Sequence, residues 1–219
     1  MDIKYVGHSS FLIKTKNARV LTDPFDPKAV GLKFPKTETD IVTISHKHDD
    51  HNYLGQVVGP EGTDPLVIDM PGEFESRGVR IFGFASFHDD KKGEERGENN
   101  LYKIEAEGIS ILHCGDLGVV LEDSVVEAIG EVDIILVPTG GVYTINSAQA
   151  AELIKKVEPS IVIPMHFNRE GLNEKTFGSL EPVSEFLKKF GAENVVPIPK
   201  LVIKKEEMAD EMKIVVLSI

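Results

Sequence analysis

Short apolar runs separated by turn-forming residues dominate the first half of the chain. Runs of this length are typical of β-strands rather than helices. Residues 41–44, Ile-Val-Thr-Ile, are all apolar or β-branched, which is the pattern of a strand buried on both faces. A hairpin is indicated where Glu107-Gly108 separates two such runs. The pattern predicts strands at 3–5, 11–13, 20–21, 41–44, 67–69, 79–87, 102–106 and 109–112.

The second half alternates strands with helices. Apolar residues at positions 150, 153, 154 and 157 follow helical spacing, with Asn146 or Ser147 as the N-cap and Pro159 as the stop. A second stripe occupies positions 183, 186, 187 and 190, between Pro182 and Gly191. A short helix is also predicted at 125–129. Further strands are predicted at 134–137, at 161–163, and on both sides of the turn KKEEMADE within 201–219.

The organisation of the chain favours one domain. No Pro-, Gly- or Ser-rich linker divides it, and no repeat of fixed period is present. The only charge run covers residues 88–100 and is interpreted as a surface loop. Strands dominate early and alternate with helices late, so we expect a single α/β domain over residues 1–219.

Composition narrows the function classes. The hydrophobic content of 41% and charged content of 27% are ordinary for a soluble globular protein. The net charge of −12 argues against a general nucleic-acid binder. One cysteine, no apolar run of about 18 residues and no signal-like N-terminus predict a cytoplasmic protein without a membrane span. The oligomeric state is left open.

The segment HKHDDH at residues 46–51 holds three of the seven histidines. His46 and His48 are two apart, so in an extended segment both point the same way and can reach one ion. Asp50 and His51 can face a second ion if the chain turns there. A solvated polar loop is the alternative interpretation.

Three other ligand-type residues favour the metal interpretation. His88, Asp116 and His166 each follow a separate apolar run. Functional groups of α/β sheets collect at the carboxyl ends of strands, so a packed sheet could bring these side chains together. Histidine and carboxylate are the usual ligands of Zn²⁺ and related ions.

A set of ordered motifs resembles the metallo-β-lactamase superfamily, in particular small metal-dependent hydrolases such as the L-ascorbate-6-phosphate lactonases. The resemblance spans roughly residues 2 to 168 and implies a four-layer αββα sandwich with a dinuclear site at one edge. The motifs are GHSSF at 7–11, TDPF at 22–25, ISHKHDDH at 44–51, FHDD at 87–90, HCGDLG at 113–118 and IPMHFN at 163–168.

The same resemblance implies roles for individual residues. Asp116 would bridge two ions, and Asp23 would support the metal loop by hydrogen bonding without binding metal. The first ion would be held by His46, His48 and His88, and the second by Asp50, His51 and His166.

Other residues allow two interpretations. His113 and His8 are either hydrogen-bonded core histidines or groups that support the ligands or contact substrate. Cys114 is interpreted as a small buried residue rather than a thiolate ligand. Arg96 could contact a phosphate or carboxylate of the substrate, although a solvated loop is the simpler interpretation.

These expectations define a mechanism. Two ions roughly 3.5–4 Å apart can share a water and generate hydroxide at neutral pH. Zn is the first choice, followed by Mn, and Fe also fits. We therefore expect a hydrolase acting on an ester, lactone or phosphodiester bond of a small soluble substrate, with Asp50 relaying a proton as well as binding metal. The alternative is a non-catalytic metal-binding protein that retains the fold.

Overall fold

The computed structural model describes residues 1–209 and 211–219. Its strands in the first part of the chain are β1 (Asp2–Gly7), β2 (Ser10–Lys14), β3 (Arg19–Thr22), β4 (Thr37–Glu38), β5 (Ile41–Thr43), β6 (Val57–Val58), β7 (Leu66–Ile68) and β8 (Gly72–Ser76). The later strands are β9 (Val79–Phe87), β10 (Glu98–Ala106), β11 (Ile109–His113), β12 (Ile134–Pro138), β13 (Ile161–Met165), β14 (Leu201–Val202) and β15 (Lys213–Ile214).

Helices connect and cover these strands. The α-helices are α1 (Pro27–Val30), α2 (Asp123–Ile129), α3 (Ser147–Val157), α4 (Glu174–Phe177) and α5 (Val183–Lys188). Two single turns of 3₁₀ helix lie at Pro60–Gly62 and Lys205–Glu207. In the part of the chain that the structure describes, each helix is too short or too polar to cross a membrane.

The strands form two large sheets and one small pair. The first sheet has the order β14-β1-β2-β3-β5-β7, and the second has the order β15-β13-β12-β11-β10-β9-β8. In the second sheet β9 and β11 are both antiparallel to β10, and β12 and β13 continue parallel to β11. The carboxyl ends of strands β9, β11, β12 and β13 therefore all lie at the same end of the sheet.

Four layers result from the way these sheets bury both faces. Neighbouring residues on a strand point to opposite faces. Accordingly Ile41 joins the core between the two sheets, whereas Val42 packs with Phe25 and Phe34 on the outer face near α1 and α4. On the other side α3 packs on β12, with α2 and α5 beside it. The predicted αββα sandwich is confirmed in this arrangement, and the buried pattern of 41–44 is explained.

Helix α3 follows the sequence closely. The Asn146 side chain accepts the backbone N–H groups of Ala148 and Gln149, and the Gln149 side chain accepts the N–H of Asn146. The four stripe residues at positions 150, 153, 154 and 157 are buried. The second predicted helix is shorter than its stripe: α5 ends at Lys188, and the Phe190 ring packs beside Phe186 at a centroid distance of 5.1 Å.

Some elements differ from the sequence expectation. Strand β8 was not predicted because its sequence, GEFES, is polar, and it lies at a sheet edge where polar side chains face solvent. The interpretation of 88–100 as loop is wrong at its end, since residues 98–100 open β10 with Asn99 buried. Strands β14 and β15 pair with β1 and β13 rather than with each other. The turn between them includes Asp210, which lies outside the described residues.

Candidate metal centre

The ligand-type side chains meet at one end of the sandwich. His46 follows β5 of the first sheet, whereas His88, Asp116 and His166 follow β9, β11 and β13 of the second. Because the carboxyl ends of those three strands lie at the same end of the sheet, the three side chains lie together. His46 approaches them from the facing sheet, so the site bridges the two sheets.

The first group contains His46, His48 and His88. One ligand atom from each lies within 4.8 Å of the others. The ring centroid of His46 is 4.6 Å from that of His48 and 4.7 Å from that of His88. His46 and His88 are buried but His48 is exposed, so this group is reachable from solvent.

The second group contains His8, Asp50, His51 and His166, again with ligand atoms within 4.8 Å of one another. His8 Nε2 lies 3.1 Å from Asp50 Oδ2. The backbone of His8 has a positive φ of 55°. Its carbonyl accepts hydrogen bonds from Tyr5 Oη (2.7 Å) and from the backbone N–H of His166 (2.9 Å). These contacts fix His8 within the second group.

Asp116 lies between the two groups. Its Oδ2 atom is 3.4 Å from His88 Nε2 of the first group, and 3.2 Å from both His51 Nε2 and His166 Nε2 of the second. Its backbone N–H donates to Asn99 Oδ1 at 2.9 Å, which holds the residue in place. One carboxylate oxygen is therefore adjacent to ring nitrogens of both groups.

Asp23 anchors the loop that carries the histidines. Its Oδ1 accepts the backbone N–H of Ser45 at 2.7 Å, and its Oδ2 accepts Ser45 Oγ at 2.6 Å. Oδ2 also lies 2.8 Å from His51 Nδ1, which sets Nδ1 as the donor and leaves Nε2 facing Asp116. This is the arrangement in which a carboxylate orients a metal-binding histidine.

Most of the charge states suit metal binding. His51 is the exception: burial would lower its pKa, but the neighbouring carboxylates hold it well above its ordinary value, so a bound cation would displace that proton. Burial, together with the nearby His51, lowers the pKa of His46 to about 2, and burial with the nearby His166 lowers the pKa of His8 to about 4. Burial also lowers the pKa of His88. Burial would raise the pKa of Asp116, but His166 and His51 hold it well below its ordinary value. Neutral imidazoles and ionised carboxylates are the forms that bind divalent cations.

Unpaired buried nitrogens provide a direct test of whether a metal fits. Buried polar atoms are nearly always hydrogen-bonded. Six buried histidine nitrogens nevertheless make no well-oriented hydrogen bond among the described residues, although two of them lie 3.2 Å from Asp116 Oδ2, and a cation would satisfy those that face the cluster. They are His8 Nδ1, His46 Nε2, His51 Nε2, His88 Nδ1, His166 Nδ1 and His166 Nε2.

His113, whose role the sequence leaves open, and Cys114, which the sequence predicts to be a small buried residue, lie behind the site. His113 Nε2 donates to the Ser9 carbonyl at 2.8 Å, and its Nδ1 accepts the Gly115 N–H at 3.3 Å. Both ring nitrogens are thus used, as in a structural histidine. Cys114 is buried, and burial raises the pKa of its thiol. It belongs to none of the ligand-type groups found among the described residues.

Arg96 lies apart from the ligand-type groups but lines the same cleft as His46 and His48. Its guanidinium carbon is 5.7 Å from the centroid of the Tyr143 ring. Sequence reasoning missed Tyr143 as a neighbour of the site because it is not a ligand-type residue and belongs to none of the matched motifs. It missed Asn99 because that residue stands in the charge run, where no pattern distinguishes a buried amide from a surface one.

The family follows from comparison with known proteins. A family model described as "Beta-lactamase superfamily domain" matches residues 2–166. The chain belongs to the metallo-β-lactamase superfamily. A metal-dependent hydrolase of Thermoplasma acidophilum is 28% identical over 188 residues, covering 77% of this chain and 84% of the relative. Another, from Thermococcus kodakarensis, is 29% identical over 196 residues, covering 77% of this chain and 85% of the relative.

A solved structure extends the similarity to nearly the whole chain. It is a protein of Thermotoga maritima described as a candidate Zn-dependent hydrolase of the metallo-β-lactamase superfamily. It is 36% identical, has a TM-score of 0.80, and the match covers 99% of this chain and 97% of the other. The superfamily and the class of metal-dependent hydrolase, both predicted from sequence, are confirmed. The narrower resemblance to ascorbate-6-phosphate lactonases and the single domain stay predictions.

Proposed function

We propose that this member of the metallo-β-lactamase superfamily hydrolyses an ester, lactone or phosphodiester bond of a small soluble substrate with the help of two divalent ions. The position of Asp116 Oδ2, within 3.4 Å of ring nitrogens from both groups, is the observation that carries the proposal. A carboxylate oxygen between two sets of histidines is what a shared, two-ion site requires. A cytoplasmic location is proposed with it.

Each group would hold one ion. Asp116 would contact both, and Asp23 would orient His51. The first ion would be bound by His46, His48 and His88, and the second by Asp50, His51 and His166. Imidazole and carboxylate donors suit Zn²⁺ first, and Mn²⁺ and Fe²⁺ are compatible.

The protein's own groups have separate tasks in the reaction. When bound, the two ions would supply electrophilic polarisation of the substrate and a more acidic water. Asp50 is half-buried, and its Oδ2 is held by His8 Nε2 at 3.1 Å, so it is oriented to accept a proton at the same cluster. We infer that His8 acts by positioning Asp50.

Metal content tests the assignment directly. We expect the purified protein to bind two ions per chain, and His48→Ala and Asp50→Ala each to reduce this to about one or fewer. Mass spectrometry of the native protein measures the stoichiometry, and Lys47→Ala is the matched control because Lys47 is an exposed neighbour without a ligand atom. Unchanged stoichiometry in both histidine and aspartate variants would contradict the proposal.

Activity tests the second half of the proposal. Hydrolysis of a panel of aryl esters, lactones and phosphodiesters should stop with a chelator and return with Zn²⁺ or Mn²⁺. Turnover that continues in the chelator would place the chemistry elsewhere. A fully metal-loaded protein that hydrolyses none of the panel would favour the non-catalytic alternative.

A further inference from the structure

A cleft opens beside the first histidine group. It has a volume of about 460 Å³ and reaches from His46 and His48 to Arg96. Met70, which is 57% exposed, and Asn100 line the same space. A molecule whose scissile bond lies at the histidines would therefore extend toward Arg96.

The backbone at Arg96 is fixed by the buried Asp89. The Asp89 carboxylate accepts four backbone N–H groups, those of Lys91 (2.8 Å), Gly93 (2.9 Å), Glu95 (3.0 Å) and Arg96 (2.7 Å). The loop also closes on the metal side, where the backbone N–H of residue 88 donates to the carbonyl of residue 97 at 3.0 Å. Arg96 therefore belongs to a loop whose backbone conformation is held by several hydrogen bonds.

The Arg96 side chain is held from a second direction. Its guanidinium carbon lies over the Tyr143 ring, 5.7 Å from the centroid, which is within cation–π range, and the Tyr143 hydroxyl donates to the Thr176 carbonyl at 2.8 Å. The nearest carboxylate on the same loop is that of Glu95, whose Oε2 lies 3.8 Å from Arg96 Nη1, a distance longer than a hydrogen bond. A cation–π contact does not use an oxygen acceptor, so the N–H groups of the guanidinium stay available, and these fit a carboxylate or phosphate.

We propose that the substrate carries a carboxylate or phosphate group a few bonds from the scissile bond, and that Arg96 binds it. This inference rests on the proposed hydrolase function. Lys47, Asp69 and Glu98 also line the cleft, so its surface is not generally positive and the held guanidinium of Arg96 would locate the anion. Lys47 is exposed and projects from the histidine loop, and no contact holds its side chain among the described residues.

Binding of matched probes to the Zn-loaded protein tests the inference without turnover. Succinic monohydroxamic acid presents a metal-binding hydroxamate and a carboxylate, and its methyl ester presents the same hydroxamate without the charge. Calorimetry should show the acid binding about tenfold more tightly than the ester, as expected for one charge-assisted hydrogen-bonded contact. The phosphonate analogue of the acid shows whether a phosphate-type group is preferred to a carboxylate.

Substitution identifies the residue responsible. Arg96→Gln should reduce the acid-to-ester preference to less than about threefold. Arg80→Gln is the matched control, because Arg80 also lies 5.7 Å from an aromatic ring, that of Phe82, but does not line the cleft. We expect the control to keep the preference of the unmodified protein.

Turnover separates this inference from the proposed function. The paired substrates are 4-nitrophenyl hemisuccinate and its methyl ester. Hydrolysis of both with equal efficiency in the unmodified protein, or a preference unchanged in Arg96→Gln, would overturn the anion site and leave the hydrolase standing. If neither hydroxamate binds, the anion site is equally excluded; absence of any ester hydrolysis by the loaded protein would count against the hydrolase itself.

Discussion

At the scale of single residues, the site depends on groups that do not touch the cleft. Asp23 is buried, and it fixes both the Ser45 backbone and the orientation of His51. The motif TDPF made this role predictable through family resemblance. Nothing in the residue pattern could show that Asn99 holds Asp116, because a hydrogen bond between residues 17 positions apart depends on how β10 and β11 pair.

Asp23→Asn provides a residue-scale prediction. The amide oxygen of asparagine can still accept one of the Ser45 hydrogen bonds. Depending on the orientation of the amide, His51 Nδ1 then faces either an NH₂ group, which cannot accept its proton, or an uncharged oxygen, which accepts it more weakly. We expect metal affinity to fall by about 10–100-fold, because the orientation of His51 is no longer enforced. Titration against a competing chelator measures the affinity.

Asp133→Asn is the control for that experiment. Asp133 also accepts a backbone N–H and a hydroxyl from one serine, Ser110, at 2.8 Å and 3.1 Å. It precedes β12, at the opposite end of that strand from the site. We expect the control to lose stability without losing metal. Equal metal affinity in both variants would remove Asp23 from the site.

At the scale of elements, the ends of strands do most to create the site. Strong apolar runs made β5, β9, β11 and β13 predictable, and each ends next to a ligand-type residue. The loops that follow were less predictable, because their conformation depends on close packing. Gly140 shows this best: a Cβ atom there would lie 2.1 Å from the carbonyl oxygen of His166, so only glycine fits.

Gly140→Ala is the element-scale prediction. The added methyl must displace the backbone of His166, which has a positive φ of 49° and carries one ligand-type side chain of the second group. We expect a loss of about 1–3 kcal/mol in the free energy of unfolding and weaker binding of one ion. Denaturant unfolding and native mass spectrometry measure the two effects.

The comparison variant is Gly62→Ala. Gly62 has a φ of +79° and no atom within 4 Å of an added Cβ, so alanine costs backbone strain there without a clash. Strain of about 1–2 kcal/mol is expected, with full metal content. If Gly140→Ala retained both ions and lost no more stability than Gly62→Ala, the close contact with His166 would not matter to the site.

At the scale of the whole molecule, each of the two groups takes its side chains from both sheets. The first sheet contributes His46, His48 and their loop, and the second contributes His88, Asp116 and His166. Composition and periodicity predicted α/β structure, but they could not specify that two sheets stack. That arrangement came from the resemblance, because pairing between distant strands leaves no local pattern in the sequence.

Ions that bridge the two sheets should stabilise the fold as a whole. A ligand that binds only the native state raises the free energy of unfolding, by an amount that depends on the ratio of its free concentration to its Kd. At a concentration one hundred times the Kd, this increase is about 2.7 kcal/mol. For a chain of 219 residues each kcal/mol corresponds to roughly 2–4 °C, so the loss of each ion to the chelator should lower Tm by roughly 5–11 °C. Calorimetry with and without chelator, repeated on Asp50→Ala, measures the loss. Asp50→Ala should show a smaller chelator effect because it begins with less metal. A Tm that is unaffected by the chelator in the unmodified protein would mean that no ion joins the two sheets.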